Sequence, residues 1–130
     1  MNNENSDKKK VLIADDEPAL LRVTADAFRE AGFEVFEADD GQKALNLALT
    51  EHPDCVLLDI QMPKIDGLTV LQQIRQDEWG KSVYVVILTN FSDAEKVAKA
   101  TENYVFDYLT KQDWSTEEIV SKVKEKLQLK

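Results

Sequence analysis

The sequence predicts a doubly wound α/β domain with five parallel strands in the order 2-1-3-4-5. Five short apolar runs rich in β-formers alternate along the chain with segments whose apolar residues recur at helical spacing. The runs are solidly apolar rather than alternating, which is typical of parallel strands covered by helices on both faces. Parallel strands of such a sheet are joined by right-handed crossovers, and 2-1-3-4-5 is a common strand order of doubly wound domains.

In the first half of the chain, three strands alternate with two helices. Pro18 suits the first turn of the first helix, and Gly32 ends that helix. The predicted strands are Val11–Asp15, Phe33–Ala38 and Cys55–Asp59. Apolar residues at helical spacing mark the two helices: Leu20, Val23, Ala27 and Ala31 in the first, and Ala44, Leu45, Ala48 and Leu49 in the second.

The second half continues the alternation and carries clear signals for helix starts. Ser92 with Glu95, and Ser115 with Glu118, have the spacing of capping boxes. The predicted elements are, in order, a helix over Gly67–Asp77, a strand over Val83–Thr89, a fourth helix from Ser92, a strand over Val105–Thr110 and a fifth helix from Ser115.

Length, charge and cysteine content narrow the class of protein. The 130 residues suit one domain, which we expect to span 10–130 after a disordered polar tail over 1–9. A formal net charge of -9 disfavours direct binding to nucleic acid or to anionic membranes. A single cysteine, Cys55, allows no disulfide within the chain, and the polar first residues do not resemble a secretory signal. These features predict a cytoplasmic location.

Polar side chains stand where four of the predicted strands end. Ligands of such sheets bind beyond the carboxyl ends of the strands, at the switch in strand order, so we expect these side chains to gather at one edge. They are Asp15 and Asp16 after the first strand, Asp59 after the third, Thr89 after the fourth and Lys111 after the fifth.

This set of side chains predicts phosphoryl chemistry. Three neighbouring carboxylates cannot all stay ionised without a counter-charge, and hard oxygen ligands of this kind suit Mg²⁺. A carboxylate can attack phosphorus to form an aspartyl phosphate. The metal, the lysine and the threonine hydroxyl would together neutralise the oxygens of a phosphoryl group in transfer.

Four stretches of the chain carry a resemblance to a known family: "IADDE", "LLDIQMPKIDG", "VVILTN" and "DYLTK". Each is common alone, but all four in order at strand ends are highly specific. With them, the chain resembles a response-regulator receiver domain over roughly residues 10 to 127. The resemblance implies a flavodoxin-like (βα)5 domain of a two-component signalling system.

The resemblance implies a role for each acid. Asp59 would be the phosphoacceptor, taking its phosphoryl group from a phosphohistidine of a histidine kinase or histidine phosphotransfer protein. Asp16 and Asp59 would bind Mg²⁺ directly, with the backbone carbonyl of Gln61 as a third ligand. Asp15 would act largely through a metal-bound water. The transfer would be self-catalysed, so the protein would not be a turnover enzyme.

The same resemblance implies a switch. Lys111 would pair with Asp59 or its phosphoryl group, Thr89 would move toward the phosphoryl oxygens, and Tyr108 would couple the site to a more distant face. That face comprises the fourth helix, the fifth strand and the fifth helix. It would bind a downstream protein or a second copy of the chain.

Three residues depart from the family pattern. Gln112 stands where a proline, usually cis, commonly follows the lysine. Asn90 follows Thr89 where a smaller residue is usual, and Tyr104 occupies a place often held by glycine. None of these departures removes a chemical group that the reaction needs.

Alternatives remain at this point. Asp15 and Asp16 could serve only to start the first helix, because acids are favoured near helix amino termini. The chain could be a phosphorylation-independent binding module of the same fold. Two further alternatives are disfavoured. A phosphatase with an aspartyl-phosphate intermediate usually needs a second acid where Gln61 stands. A flavin-binding electron carrier needs a phosphate loop rich in Ser, Thr and Gly where this chain has "DDEPA".

Overall fold

A computed structural model describes residues 8–89 and 107–129, without the side chain of Thr89. All strand pairs are parallel, and the sheet has the order β2-β1-β3-β4-β5, so the predicted fold is confirmed. The predicted fourth helix, with Asn90 and Tyr104, lies outside the described residues. The strands are β1 (Lys10–Ala14), β2 (Glu34–Ala38), β3 (Cys55–Asp59), β4 (Tyr84–Thr89) and β5 (Asp107–Thr110).

Four α-helices are described, and the last of them is the fifth helix of the prediction. Its capping box is present, because Ser115 Oγ accepts the amide of Glu118 while the Glu118 side chain accepts the amide of Ser115. The longest described helix has 13 residues, and none of the described helices could cross a bilayer. The helices are α1 (Pro18–Glu30), α2 (Gly41–Glu51), α3 (Gly67–Gln76) and α4 (Thr116–Lys126), with a 3-10 turn over Trp79–Lys81.

The three central strands, β1, β3 and β4, are buried on both faces of the sheet, which explains their continuously apolar sequences. Leu12 of β1 packs in one cluster with residues of α2 and α3, whereas Val11 and Ile13 pack in a second cluster with residues of α1 and α4. Successive side chains of a strand point to opposite faces, so both faces of β1 need apolar residues. Nearly all of the polar side chains of the sheet are thereby confined to strand ends.

The helical spacing found α1 but not its buried face. The residues of α1 that are buried are Leu21, Thr24, Ala25 and Phe28, whereas Val23 is 54% exposed. The large Phe28 ring, which packs edge-to-face on Phe33 in the second cluster, determines which face of α1 turns toward the sheet. In α2, by contrast, the predicted Ala44 and Ala48 are buried and Leu45 packs against the first cluster, whereas Leu49 is 38% exposed.

The loop after β3 is held against the start of α2. The Gly41 amide donates to the carbonyl of Pro63, and a Cβ added at Gly41 would overlap the backbone of Ile65. Lys64, which has a left-handed φ of 71°, places its ammonium 3.6 Å from Oδ2 of Asp40. These contacts fix the chain that follows Asp59, and with it the carboxyl edge of the sheet.

Candidate functional site

Two neighbouring strands deliver the three acids to one point. Asp15 follows β1, and its amide extends the ladder by donating to the carbonyl of Ala38. Asp59 is the last residue of β3, which pairs with β1. Asp15 and Asp59 are 4% and 6% exposed, whereas Asp16 is exposed. Asp15, Asp16 and Asp59 each offer an oxygen within 4.8 Å of the others.

Lys111 reaches the same point from the end of β5. A turn follows the strand, in which the Thr110 hydroxyl donates to the Asp113 carboxylate and the Asp113 amide donates to the Thr110 carbonyl. The Lys111 ammonium lies 3.2 Å from Oδ2 of Asp59 and 3.2 Å from Oδ2 of Asp15. Its side chain is only 16% exposed, so this contact lies largely out of water.

Sequence analysis missed one acid of the site, Glu17. Its carboxylate lies 3.7 Å from the Lys111 ammonium, and its amide donates to Oδ1 of Asp15. Together with Asp16, Asp59, Gln61 and Lys111 it lines a cleft of about 260 Å³. One feature of the sequence could have indicated this place: Glu17 directly precedes Pro18, which restricts Glu17 to extended backbone just beyond the end of the first strand.

The buried carboxylate of Asp59 is poised between two charge states. The pKa of Asp59 is raised to about 6: burial raises it most, the Lys111 charge lowers it, and the neighbouring Asp15 charge raises it. Burial alone would lower the pKa of Lys111, but the charges of Asp59 and Asp15 outweigh burial, so that pKa lies above its ordinary value. The site therefore holds more negative than positive charge at neutral pH.

The sequence model of the response regulator receiver domain family matches residues 11–124. The chain belongs to this family. A relative from Synechocystis, the DNA-binding dual master transcriptional regulator RpaA, is 35% identical over 115 residues, which cover 88% of this chain and 47% of the relative. The receiver domain thus spans about half the length of such curated relatives.

Solved receiver domains have the same architecture. The receiver domain of Francisella response regulator 1452 is 30% identical, with a TM-score of 0.79 and coverage of 91% of this chain and 95% of that one. A receiver domain of a sensor histidine kinase from Pseudomonas aeruginosa is 27% identical, with a TM-score of 0.79 and coverage of 91% and 96%. That second structure has a magnesium ion coordinated in its active site cleft.

The acids of this receiver domain fit a hard divalent cation. Carboxylate oxygens are the ligands that Mg²⁺ prefers, and the three acids bring such oxygens within 4.8 Å of one another. The Gln61 amide lies 3.4 Å from Oδ1 of Asp59, so the Gln61 backbone is adjacent to the same carboxylate. A dipositive ion would also relieve the excess of negative charge.

Two predicted switch residues lie on the neighbouring strands. Thr89 is the last residue of β4 and pairs in register with Thr110, but its side chain lies outside the described part of the chain. Tyr108 of β5 packs against the α2–α3 side of the sheet, and within the described residues its buried hydroxyl has no hydrogen-bond partner. No cis peptide bond occurs in the described ranges, so Gln112 follows Lys111 through a trans bond.

Proposed function

We propose that this receiver domain accepts a phosphoryl group on Asp59 from a phosphohistidine, in a Mg²⁺-dependent reaction. The observation that supports it most is the placement of Asp59, a buried carboxylate 3.2 Å from an ammonium and beside two further acids at the edge of a cleft. Response regulators of two-component systems act with histidine kinases, so the donor is a histidine kinase or a histidine phosphotransfer protein. We place the reaction in the cytoplasm.

The transfer exchanges one bond to phosphorus for another. A carboxylate oxygen of Asp59 forms the new P–O bond, and the P–N bond to the donor imidazole breaks, leaving its electron pair on nitrogen. Asp59 must be ionised to act as the nucleophile, and with a pKa of about 6 it is mainly ionised at neutral pH. The side chain needs no separate base.

Two side chains prepare Asp59 for this step. The Lys111 ammonium contacts Oδ2 of Asp59. It can also contact a phosphoryl oxygen and stabilise the negative charge that develops there. Asp15 also holds the Lys111 ammonium, at 3.2 Å, which helps to keep it beside Asp59. Both carboxylates are buried, so these interactions are weakly screened by water.

The metal-binding role falls to the three acids. Asp16 and Asp59 would bind Mg²⁺ directly with the Gln61 carbonyl, and Asp15 would act through a metal-bound water. When bound, the ion supplies positive charge that neutralises phosphoryl oxygens.

Transmission of the signal would depend on Thr89 and Tyr108. Thr89 would move toward the phosphoryl oxygens, and Tyr108 would move with it, because β4 and β5 are adjacent in the sheet. A buried hydroxyl for which the described residues offer no partner would readily change its position. The face formed by the fourth predicted helix, β5 and α4 would then bind a downstream protein or a second copy of the chain.

Intact-protein mass measured after incubation with acetyl phosphate, with and without Mg²⁺, tests the proposal. The parent should gain one phosphoryl group only with Mg²⁺, and Asp59→Asn should gain none. Asp66→Asn is the matched control: Asp66 caps α3 by accepting the Thr69 amide, and asparagine caps equally well. This control should be labelled like the parent.

Labelling of Asp59→Asn to the parent level would refute the assignment of the phosphoacceptor. A parent that is folded and binds Mg²⁺, yet acquires no adduct, would favour the phosphorylation-independent binding module instead.

A further inference from the structure

Glu17 differs from the other two acids that contact Lys111. Asp15 and Asp59 hold the ammonium from inside the fold, with side chains 5% and 8% exposed, whereas the Glu17 side chain is 65% exposed. Its carboxylate lies 3.7 Å from the ammonium, whose own side chain is only 16% exposed. A phosphoryl donor that enters from solvent therefore meets Glu17 before it meets Lys111.

The fold makes little use of this carboxylate. Glu17 is the N-cap residue of α1, yet its side chain makes no capping hydrogen bond, and Ser, Thr, Asp or Asn would serve better there. The backbone of Glu17 is fixed independently by the hydrogen bond that its amide donates to Oδ1 of Asp15 and by Pro18. An exposed ion pair of this length contributes little to stability. The Glu17 carboxylate therefore affects the electrostatics of the cleft more than the stability of the fold.

Glu17 adds to an unbalanced charge at the mouth of the cleft. Among the described residues that line the cleft or contact Lys111, four carry carboxylates and one carries an ammonium: Asp15, Asp16, Glu17 and Asp59 against Lys111. Glu17 both repels an incoming anion and competes with it for the Lys111 ammonium. Like charges a few ångströms apart at a protein surface slow association, and salt screens the effect.

We propose that Glu17 is a specificity-determining and positioning residue, which draws Lys111 toward the mouth of the cleft and slows phosphoryl transfer from small, doubly charged donors. The inference rests on the proposed phosphorylation of Asp59. Free donors such as acetyl phosphate are disfavoured, whereas a protein donor can offset the charge of Glu17 with its own basic residues.

Phosphorylation rates of Glu17→Gln with two donors of different charge test the proposal. Acetyl phosphate is a dianion at neutral pH, and its P–O bond to acetate breaks with the electron pair leaving on acetate. Phosphoramidate has a single net negative charge, and its P–N bond breaks to release ammonia. In Mg²⁺ at low ionic strength, the variant should react about twofold to fivefold faster with acetyl phosphate. Its increase in phosphorylation rate over the parent should be clearly smaller with phosphoramidate.

Salt and a matched variant separate a charge effect from a structural one. The gain should nearly vanish at about 1 M salt, where the screening length is only about 3 Å. Glu30→Gln makes the same charge change at the other end of α1, about 20 Å away at 1.5 Å per residue, and should react like the parent. Glu17→Asp, which retains the charge, should show no more than a small part of the gain.

The outcomes divide cleanly. A Glu17→Gln variant that reacts no faster than the parent, or gains equally with both donors at all salt concentrations, overturns the role of Glu17. A parent that is not phosphorylated by either donor refutes the proposed function itself. Faster reaction with the dianion alone, lost in salt and absent in Glu30→Gln, supports the inference.

Discussion

Gly67 packs directly against the backbone of Asp59. A Cβ added at Gly67 would overlap the carbonyl oxygen of Asp59, and the Gly67 amide donates to the carbonyl of Ile60 at 2.8 Å. The first residue of α3 thus rests on the last residue of β3 with no room for a side chain. The position of the candidate phosphoacceptor therefore depends on a glycine eight residues further along the chain.

Gly67→Ala should impair both stability and phosphorylation. The new methyl group must displace backbone, and overpacking of this kind costs about 2 kcal/mol of unfolding free energy. Because the displaced atoms belong to Asp59, the phosphorylation rate should fall in the fraction that stays folded. Urea unfolding and mass-detected labelling measure the two effects. Gln73→Ala, on an exposed position of the same helix, should change neither, and an unaffected Gly67→Ala would contradict the close packing.

Asp59→Asn should stabilise the folded protein at neutral pH in the absence of Mg²⁺. The pKa of Asp59 is about 6 in the fold against an ordinary 3.8, so the folded state holds this proton more tightly than the unfolded state does. Stability of the parent therefore falls as pH rises through that window, and asparagine removes the loss. The expected gain is about 1 to 3 kcal/mol above the folded-state pKa.

Urea unfolding at several pH values, with a chelator present, measures that gain. The difference between Asp59→Asn and the parent should shrink as pH falls toward the ordinary carboxyl value. A variant that is less stable than the parent at neutral pH, or a difference that does not vary with pH, would show that ionisation of Asp59 does not destabilise the fold.

Lys111→Met should destabilise the fold while leaving Asp59, the proposed nucleophile, in place. Among the described residues, Lys111 is the only cation within ion-pair distance of the buried Asp15 and Asp59. Removing one partner of a buried pair typically costs about 3 kcal/mol or more. Thermal unfolding should show the loss, and Mg²⁺ should restore part of it. Lys81→Met, which removes an exposed pair with Glu78, should change little, and an equal loss there would refute the explanation.

The acids of the site could be predicted because local sequence places them. Each apolar run ends in or beside a polar residue, and parallel strands bring their carboxyl ends to one edge of the sheet. Asp15, Asp59 and Lys111 are therefore brought together by strand order alone, and strand order follows from the continuous apolar runs. The same local logic predicted the capping box at Ser115.

Contacts between distant elements could not be predicted in this way. The pairing of Glu17 with Lys111 depends on how closely the end of β5 approaches the start of α1, and neither segment encodes that distance. The buried face of α1 depends on the Phe28 ring packing against Phe33, which outweighs the apolar spacing that includes Val23. Tertiary packing decides between two helical faces of similar composition.

Mg²⁺ should stabilise the parent, and Asp16 should account for much of the effect. We expect the ion to bind the folded arrangement of three acids and not the unfolded chain, so at ten times its Kd it should add about 1.4 kcal/mol to the unfolding free energy. Asp16 is the exposed member of the three, so Asp16→Asn should fold normally while binding Mg²⁺ more weakly. Asp39→Asn changes an exposed acid that pairs with Lys43 instead, and should respond to Mg²⁺ like the parent. Thermal unfolding at increasing Mg²⁺ concentration compares the three proteins, and equal shifts in parent and Asp16→Asn would place the ion elsewhere.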